Sequence, residues 1–317
     1  MSDWQSNARV DDLHARAQLL ASIRTFFSER DVLEVDTPLL SRYGVTDPNI
    51  ELFTVSSDSR RYLQSSPEYA MKRLLASGLG DIYQLGKAFR LGESGARHNP
   101  EFTLLEWYRK DFSHFDLIRE VAQLIKTVLP VSAWQVWSYA ALFSEILDVD
   151  VFDVFDVSTE ALRKKVESEG ISIDASLSRL DCLDLLMTHR IEPAIAGWGL
   201  VFVTDFLPEQ SALARITTRG ARTVAARFEA YYGGIELANG YWEETQAEVL
   251  AARFADDNAK RQSRGQQPMT PDVRLLEALK AGIPNCAGVA LGVDRLLMLS
   301  LGRAAIAEVL PFAWDRA

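Results

Sequence analysis

Apolar side chains return every three or four positions between residues 12 and 30. Leu13, Ala17, Leu20, Ile23 and Phe27 share one face while Arg16, Arg24 and Arg30 lie elsewhere, a pattern that predicts an amphipathic helix. A β-branched run, Val32 to Val35, follows and stops at Pro38, which cannot donate to a sheet ladder. Ser66 as N-cap and Pro67 at the first helical position predict a second helix over 67–77. Residues 81–90 and 101–108 read as strands around a loop at 91–100 that carries Gly92, Gly95 and Pro100, so an antiparallel hairpin is expected. Residues 116–190 read as mostly helical, with strand signals returning at Leu200–Asp205 and Phe228–Glu236. A helix over 244–264 ends in Lys260, Arg261, Arg264 and Gly265, a favourable C-terminus. The last element couples a glycine-rich strand, Gly288–Gly292, to a helix starting near Asp294. Within 116–190, the acidic-apolar run Asp148–Asp156 reads as an edge strand or surface turn, because its aspartate spacing does not match a calcium loop.

Strands separated by unequal helical insertions, with at least one hairpin, favour an α+β fold over a doubly wound parallel one. The 317 residues are read as a single domain, 1–317, with a helical insertion at roughly 116–190. Lys+Arg total 34 against 44 Asp+Glu, a formal net charge of −10, which argues against a protein that mainly grips nucleic-acid backbone. Cys182 and Cys286 can build neither a disulfide framework nor a cysteine metal cage, and the four histidines stand singly. The apolar stretch Gly288–Leu301 contains Asp294 and Arg295, and Met1–Val10 has no hydrophobic signal core. A cytoplasmic protein without a membrane span is expected.

Gly80–Ala88 approaches a P-loop, but five residues separate its glycines and Ala88 stands where a hydroxyl must reach magnesium. Neither G-x-G-x-x-G nor G-x-S-x-G occurs. What remains is polar density on expected strands. Arg90, His98, Asn99, Glu101, Glu106 and Arg109 crowd one hairpin, Glu229, Glu236, Asn239 and Glu243 crowd a second segment, and Asp294-Arg295 follows the glycine strand. Singly, each reads as a solvated charge. Three mixed clusters on interior strands are too costly to bury unless paired or used. Arginines suit phosphate, and carboxylates suit magnesium or an amine, so ATP and a cationic substrate are the natural pair.

These residues carry a resemblance. Gly86-Lys-Ala-Phe-Arg90 followed by His98-Asn-Pro-Glu-Phe-Thr-Leu-Leu-Glu-Trp-Tyr108 resembles motif 2 of class II aminoacyl-tRNA synthetases in its lysyl form. Arg227 to Gly240 resembles the lysyl-type strand before motif 3, and Gly288 to Arg295 resembles motif 3. The opening helix, the strand and Pro38 resemble motif 1, the usual dimer interface. The resemblance runs from about residue 12 to the C-terminus. It implies an antiparallel sheet flanked by helices and a homodimer through the motif 1 region. Lysyl-tRNA synthetases also carry an anticodon-reading domain for which this length leaves no room. A catalytic core alone resembles the synthetase paralogues that attach (R)-β-lysine to a lysine of elongation factor P.

The resemblance implies ATP and Mg²⁺, and a reaction in which a carboxylate attacks the α-phosphate before an amine captures the adenylate. Arg90 would grip the α-phosphate, and Arg295 would sit near the γ-phosphate and adenine, with Phe102 on the other adenine face. His98 and Asn99 match the turn toward ATP, Glu229 and Glu236 match the magnesium pair, and Leu237 and Gly292 match nucleotide contacts. Lysyl motif 2 usually reads Arg-x-Glu, whereas Arg90-Leu91-Gly92-Glu93 puts glycine at the acid. Either Glu93 takes over through a shifted loop, or the backbone of Leu91 and Gly92 does. Glu68, Glu106 and Glu243 match the amine-recognition carboxylates, with Ser66, Pro67, Tyr108, Asn239 and Tyr241 beside them. Three converging carboxylates repel one another, so a diamino cation is expected between them. Ala290 replaces the glycine usual at that point of motif 3, and its methyl is expected to crowd α-lysine and favour (R)-β-lysine. The expected acceptor is elongation factor P, with no stable tRNA binding. Alternatives are a truncated lysyl-tRNA synthetase-like adenylating enzyme and a non-catalytic lysine-binding regulatory paralogue.

Overall fold

A computed structural model describes residues 4–56, 59–153, 158–174 and 177–317. The chain divides into two compact units, one comprising Met1–Pro130, Ala212–Arg215 and Gly240–Ala317, the other Val131–Ser211 and Ile216–Asn239. Strands and helices are mixed, with antiparallel pairing dominant, so the fold is α+β as expected.

In the first unit the opening helix spans Val10–Ser28, two residues earlier than its apolar period implies, and buries Leu19, Ile23, Phe26 and Phe27. Phe27 stacks on Tyr83 at 4.4 Å and meets Trp107 edge-on at 5.3 Å, so this helix covers one face of the hairpin. The hairpin strands are Ile82–Phe89 and Glu101–Lys110. Leu33–Glu34 adds in parallel beside Ile82, and Cys286–Gly292 adds antiparallel beside Glu101–Lys110. Register decides what the open face shows. Gln84, Glu106 and Ala290 are paired in one row, Ile82, Tyr108 and Gly288 in the next, and Gly86, Leu104 and Gly292 in a third. Side chains alternate along strands, so these residues share one face and Leu105 and Trp107 the other.

Several elements differ from the sequence reading. The second helix spans Glu68–Ala76 with Pro67 flanking it rather than inside it. Ser66 Oγ still accepts the Glu68 N–H at 3.0 Å, because that donor has no intrahelical partner. A helix at Val273–Ala281 was not expected. Asp272 caps it by accepting the Arg274 and Leu275 N–H groups, and it packs Leu275 and Leu279 against Leu250 and Phe254 of helix Ala247–Ser263. A small sheet of Leu40–Ser41, Arg60–Leu63 and Thr54–Ser56 also escapes prediction, since strands this short show no readable alternation.

In the second unit, Trp134–Ser138 is a strand inside the segment read as helical. It pairs in parallel with Leu200–Phe206, which in turn pairs antiparallel with Arg222–Tyr232. The expected single strand Phe228–Glu236 is two, Arg222–Tyr232 and Ile235–Trp242, separated by Gly233 and Gly234 at φ +62° and +69°. Two consecutive positive φ angles make a tight reversal that only glycine adopts freely. Helices Tyr139–Leu147, Thr159–Ser168 and Arg179–Leu186 bury Phe143, Leu162 and Leu186 in a core with Val201, Val203 and Tyr231. The acidic run leaves that first helix at Asp148, in the left-handed region, and turns rather than pairing through Asp153. Asp150 there pairs with Arg222 at 3.1 Å, and Val154–Asp156 lie outside the described residues.

Candidate active site

The open face of the first unit gathers the residues expected to bind an amine. Glu106 is buried and accepts hydrogen bonds from Ser66 Oγ at 2.7 Å and Tyr108 Oη at 2.8 Å. Pro67, also buried, starts the turn that directs Glu68 into the same cluster. Glu243 is 1% exposed, and neither carboxylate oxygen has an aligned hydrogen bond. Tyr241 lies two residues before it on the strand Ile235–Trp242. Burial, with Glu68 nearby, pushes the Glu106 carboxyl up to about 8 against the help of Ser66 and Tyr108. Burial likewise raises Glu243 to about 7, although Lys72 pulls the other way.

Lys72 corrects one expectation. The repulsion among these carboxylates is relieved by the chain itself, because the fully buried Lys72 ammonium lies 2.7 Å from Glu68 and 2.6 Å from Glu243. Burial works to lower it, but Glu243 and Glu68 outweigh that cost and hold it above its usual range. Glu68 and Glu243 therefore do not face one another without a counter-charge. The signal was present in the sequence. Lys72 follows Glu68 by four positions and falls between Met71 and Leu75 on a helix face that must be buried. Gly288 was also missed. A Cβ there would lie 2.3 Å from the Tyr108 ring and 2.6 Å from Glu243 Oε1, so only glycine lets both reach the pocket.

The phosphate-facing candidates occupy the hairpin end. The Arg90 guanidinium lies 5.3 Å over the Phe102 ring, with its Nε buried and unpartnered, and 3.6 Å from Glu93. Glu93 is thus the counter-ion of Arg90. Gly92, at φ +81°, makes the turn after Leu91, whose N–H donates to the Glu51 carbonyl at 2.9 Å. Arg295 approaches His98 Nε2 at 2.5 Å, and burial with this cation holds His98 below its ordinary range, as a neutral acceptor. Asn99 is engaged internally, donating to the Glu101 carbonyl at 2.6 Å and accepting the Trp314 N–H at 2.9 Å, so it fixes the loop. Asp294 and Arg109 also prove structural. Asp294 binds Arg16 and the Thr103 N–H, and Arg109 lies 3.1 Å from Asp81.

A Cβ on Gly292 would meet nothing closer than its neighbour Arg295 at 3.7 Å. The protein does not require glycine there, and a nucleotide lying on the Gly86–Leu104–Gly292 row would. Gly292→Ala should therefore leave thermal stability unchanged while raising the KM for ATP by about tenfold, on the order of 1.4 kcal/mol. Unchanged ATP kinetics would remove Gly292 from the nucleotide floor.

Glu229, Glu236, Leu237 and Asn239 belong to the second unit. Arg227 and the Tyr231 hydroxyl each donate to one Glu229 oxygen, and Arg227 Nε donates to Asn239 at 3.2 Å. Burial and the Glu236 charge raise the Glu229 carboxyl while Arg227 lowers it. Two mutually repelling carboxylates fit Mg²⁺, which takes one or two protein oxygens and fills its shell with phosphate and water. No cluster of three or more metal-ligating side chains occurs among the described residues, so the fit is to this pair alone. Leu237 is a buried apolar side chain. The partners of Glu229 were missed because they lie two residues to either side on the same strand face.

No helix among the described residues is long and apolar enough to cross a membrane. Compared with known protein families, residues 1–316 match the family described as tRNA synthetases class II (D, K and N).

Proposed function

Because the chain belongs to the class II (D, K and N) tRNA synthetases, an ATP-dependent ligase family, we propose that it adenylates a lysine-type amino acid, favouring (R)-β-lysine, and transfers it to a lysine of elongation factor P. The observation that carries this reading is the buried carboxylate cluster. Of the three amino acids the family description covers, only lysine brings a cationic side chain. Glu68, Glu106 and Glu243 would repel an aspartate and give an asparagine amide too few donors.

Activation forms a bond between a substrate carboxylate oxygen and the α-phosphorus and breaks the bond to pyrophosphate. The acceptor amine then forms an amide at the acyl carbon, expels AMP and loses a proton. The first step needs charge neutralisation and positioning, since a carboxylate is already nucleophilic. Arg90 would hold the α-phosphate, Arg295 the far phosphates, and Phe102 with the Gly86–Leu104–Gly292 row the adenine. Mg²⁺, general to the family, would find hard oxygen ligands in Glu229 and Glu236 and would supply charge neutralisation.

Ala290 supports the β-lysine preference. It pairs with Glu106 across the sheet, so its methyl stands beside the carboxylate that would take the amine. The net charge of −10 supports a protein acceptor over an RNA backbone. Leu33, Leu39, Leu40 and Val55 are exposed apolar residues around the motif 1 region, which supports a homodimer. The free, buried Cys182 and Cys286 fit a reducing cytoplasm.

Pyrophosphate exchange across lysine, (R)-β-lysine, aspartate and asparagine tests the activation step. (R)-β-lysine is expected to exceed lysine, and Ala290→Gly to narrow that gap by raising lysine activation. Aspartate or asparagine exceeding both would overturn the reading. Intact-mass analysis with ATP, Mg²⁺ and (R)-β-lysine should then show one lysyl-sized addition to elongation factor P and little charging of tRNA. Efficient tRNA charging without that addition would favour a lysyl-tRNA synthetase-like enzyme instead.

A further inference from the structure

Lys72 belongs to none of the matched motif positions, yet no side chain in the first unit is more deeply committed. It is 0% exposed, sits mid-helix, and places its ammonium within 2.7 Å of Glu68 and 2.6 Å of Glu243. An ammonium buried for packing alone would gain nothing over methionine, and a buried ion pair rarely stabilises more than an apolar substitute of similar size. Its partners are also not fully satisfied. Both Glu243 oxygens lack an aligned donor despite the short contact, and Glu106 is held only by hydroxyl groups.

We propose that Lys72 is a positioning residue, a resident cation that offsets the charge of Glu68 and Glu243 and holds both carboxylates in place, so that the Glu106–Ser66–Tyr108 end alone receives the substrate's ammonium. This rests on the lysine-type reading above. The groups that interact with Lys72 are Glu68 and Tyr69 on its own helix, Cys286 on the strand Cys286–Gly292, and Glu243 with Arg215 behind it, while Glu106 and Tyr108 on the strand Glu101–Lys110 interact with Glu68 and Glu243. Counted formally, Glu68, Glu243 and Lys72 sum to −2 + 1 = −1 while Glu106 is protonated; ionising Glu106 gives −2, and an arriving ammonium restores −1. Binding thus exchanges a proton for an ammonium. Without Lys72 nothing would offset the charge of Glu68 and Glu243 beside Glu106, Glu106 would hold its proton to higher pH, and the exchange would become harder at neutral pH.

Lys72→Met, close in volume and uncharged, tests this with lysine and (R)-β-lysine as probes in pyrophosphate exchange between pH 6 and 9.5. The KM for the amino acid should rise at least tenfold at pH 7 and recover toward the wild-type value at pH 9, moving the acid limb up by about one pH unit. The KM for ATP should not move. Loss that is uniform across pH would show a merely structural lysine and overturn the proposal. If Lys72→Met does not fold, Glu68→Gln gives the opposite sign. It removes a charge that raises Glu106, so the acid limb should move down, and an unmoved limb would again overturn the proposal. Wild-type protein that exchanges with neither diamino acid would refute the lysine-type reading. Wild-type exchange with unmoved limbs in the variants would refute only the role of Lys72.

Discussion

Arg90→Ala is expected to slow amino-acid-dependent pyrophosphate exchange by about 10²–10³-fold, or roughly 3–4 kcal/mol in the barrier. Charge develops on the α-phosphate as the carboxylate attacks, and a preorganised cation lowers that barrier more than any group arriving late. Arg90 meets the requirement. Its guanidinium is poised over Phe102, its Nε is desolvated without a partner, and its one carboxylate neighbour is 3.6 Å away. The loss should fall mainly on kcat. Little should be lost in stability, because a half-exposed ion pair at that distance contributes under about 1 kcal/mol. Arg90→Lys should recover only part of the rate, since an ammonium keeps the charge but not the planar fork. Exchange within tenfold of wild type in Arg90→Ala would mean that another group grips the α-phosphate.

The second large effect is on folding. Asp294 is 1% exposed and accepts from Arg16 at 2.6 Å and from the Thr103 N–H at 2.7 Å, while Arg16 also reaches the Thr103 hydroxyl at 2.6 Å. One carboxylate thereby ties the opening helix, the strand Glu101–Lys110 and the helix Val293–Ser300. Asp294→Ala leaves a nearly buried guanidinium without its counter-ion and a buried backbone donor without its acceptor, a loss of about 3–5 kcal/mol. In a chain this size that lowers the midpoint of thermal unfolding by roughly 6–15 °C. Asp294→Asn keeps one acceptor and should fall between. A midpoint within 2 °C of wild type in Asp294→Ala would show that Arg16 and Thr103 find other partners.

The carboxylate cluster around Glu106 adds a pH signature to the same measurements. Because the Glu106 carboxyl is raised to about 8, the folded apo protein holds a proton there that the unfolded chain releases near the ordinary carboxylate range. This group's contribution therefore weakens the fold as pH rises from about 5 to 8, by up to about 1.4 kcal/mol per pH unit. An ammonium bound beside Glu106, as proposed, would reverse the preference by favouring the ionised form.

Much of this was legible in residue order. Period 3–4 placed the opening helix within two residues, and β-rich runs around Gly92, Gly95 and Pro100 placed the hairpin. Motif spacing singled out Arg90, Glu106, Glu243 and Arg295 as candidates; the first three stand on a strand or just past a strand end, and Arg295 stands in the first turn of the helix Val293–Ser300. The strand Trp134–Ser138 was lost because it is short and lies between two helices, so tertiary pairing rather than local pattern decides it, and the helix Val273–Ala281 because its two and a half turns lie between a loop and a strand.

The sequence by itself determined the fold class, the hairpin and which charged residues had to be accounted for, since periodicity and residue type are local properties. Only the tertiary structure decided which charges neutralise which. Asp294 goes to Arg16, 278 positions away, Glu93 to Arg90, and both Glu68 and Glu243 to Lys72. The reason is physical: the cost of a buried charge depends on what lies within a few ångströms of it, and that distance is set by packing between elements far apart in the chain.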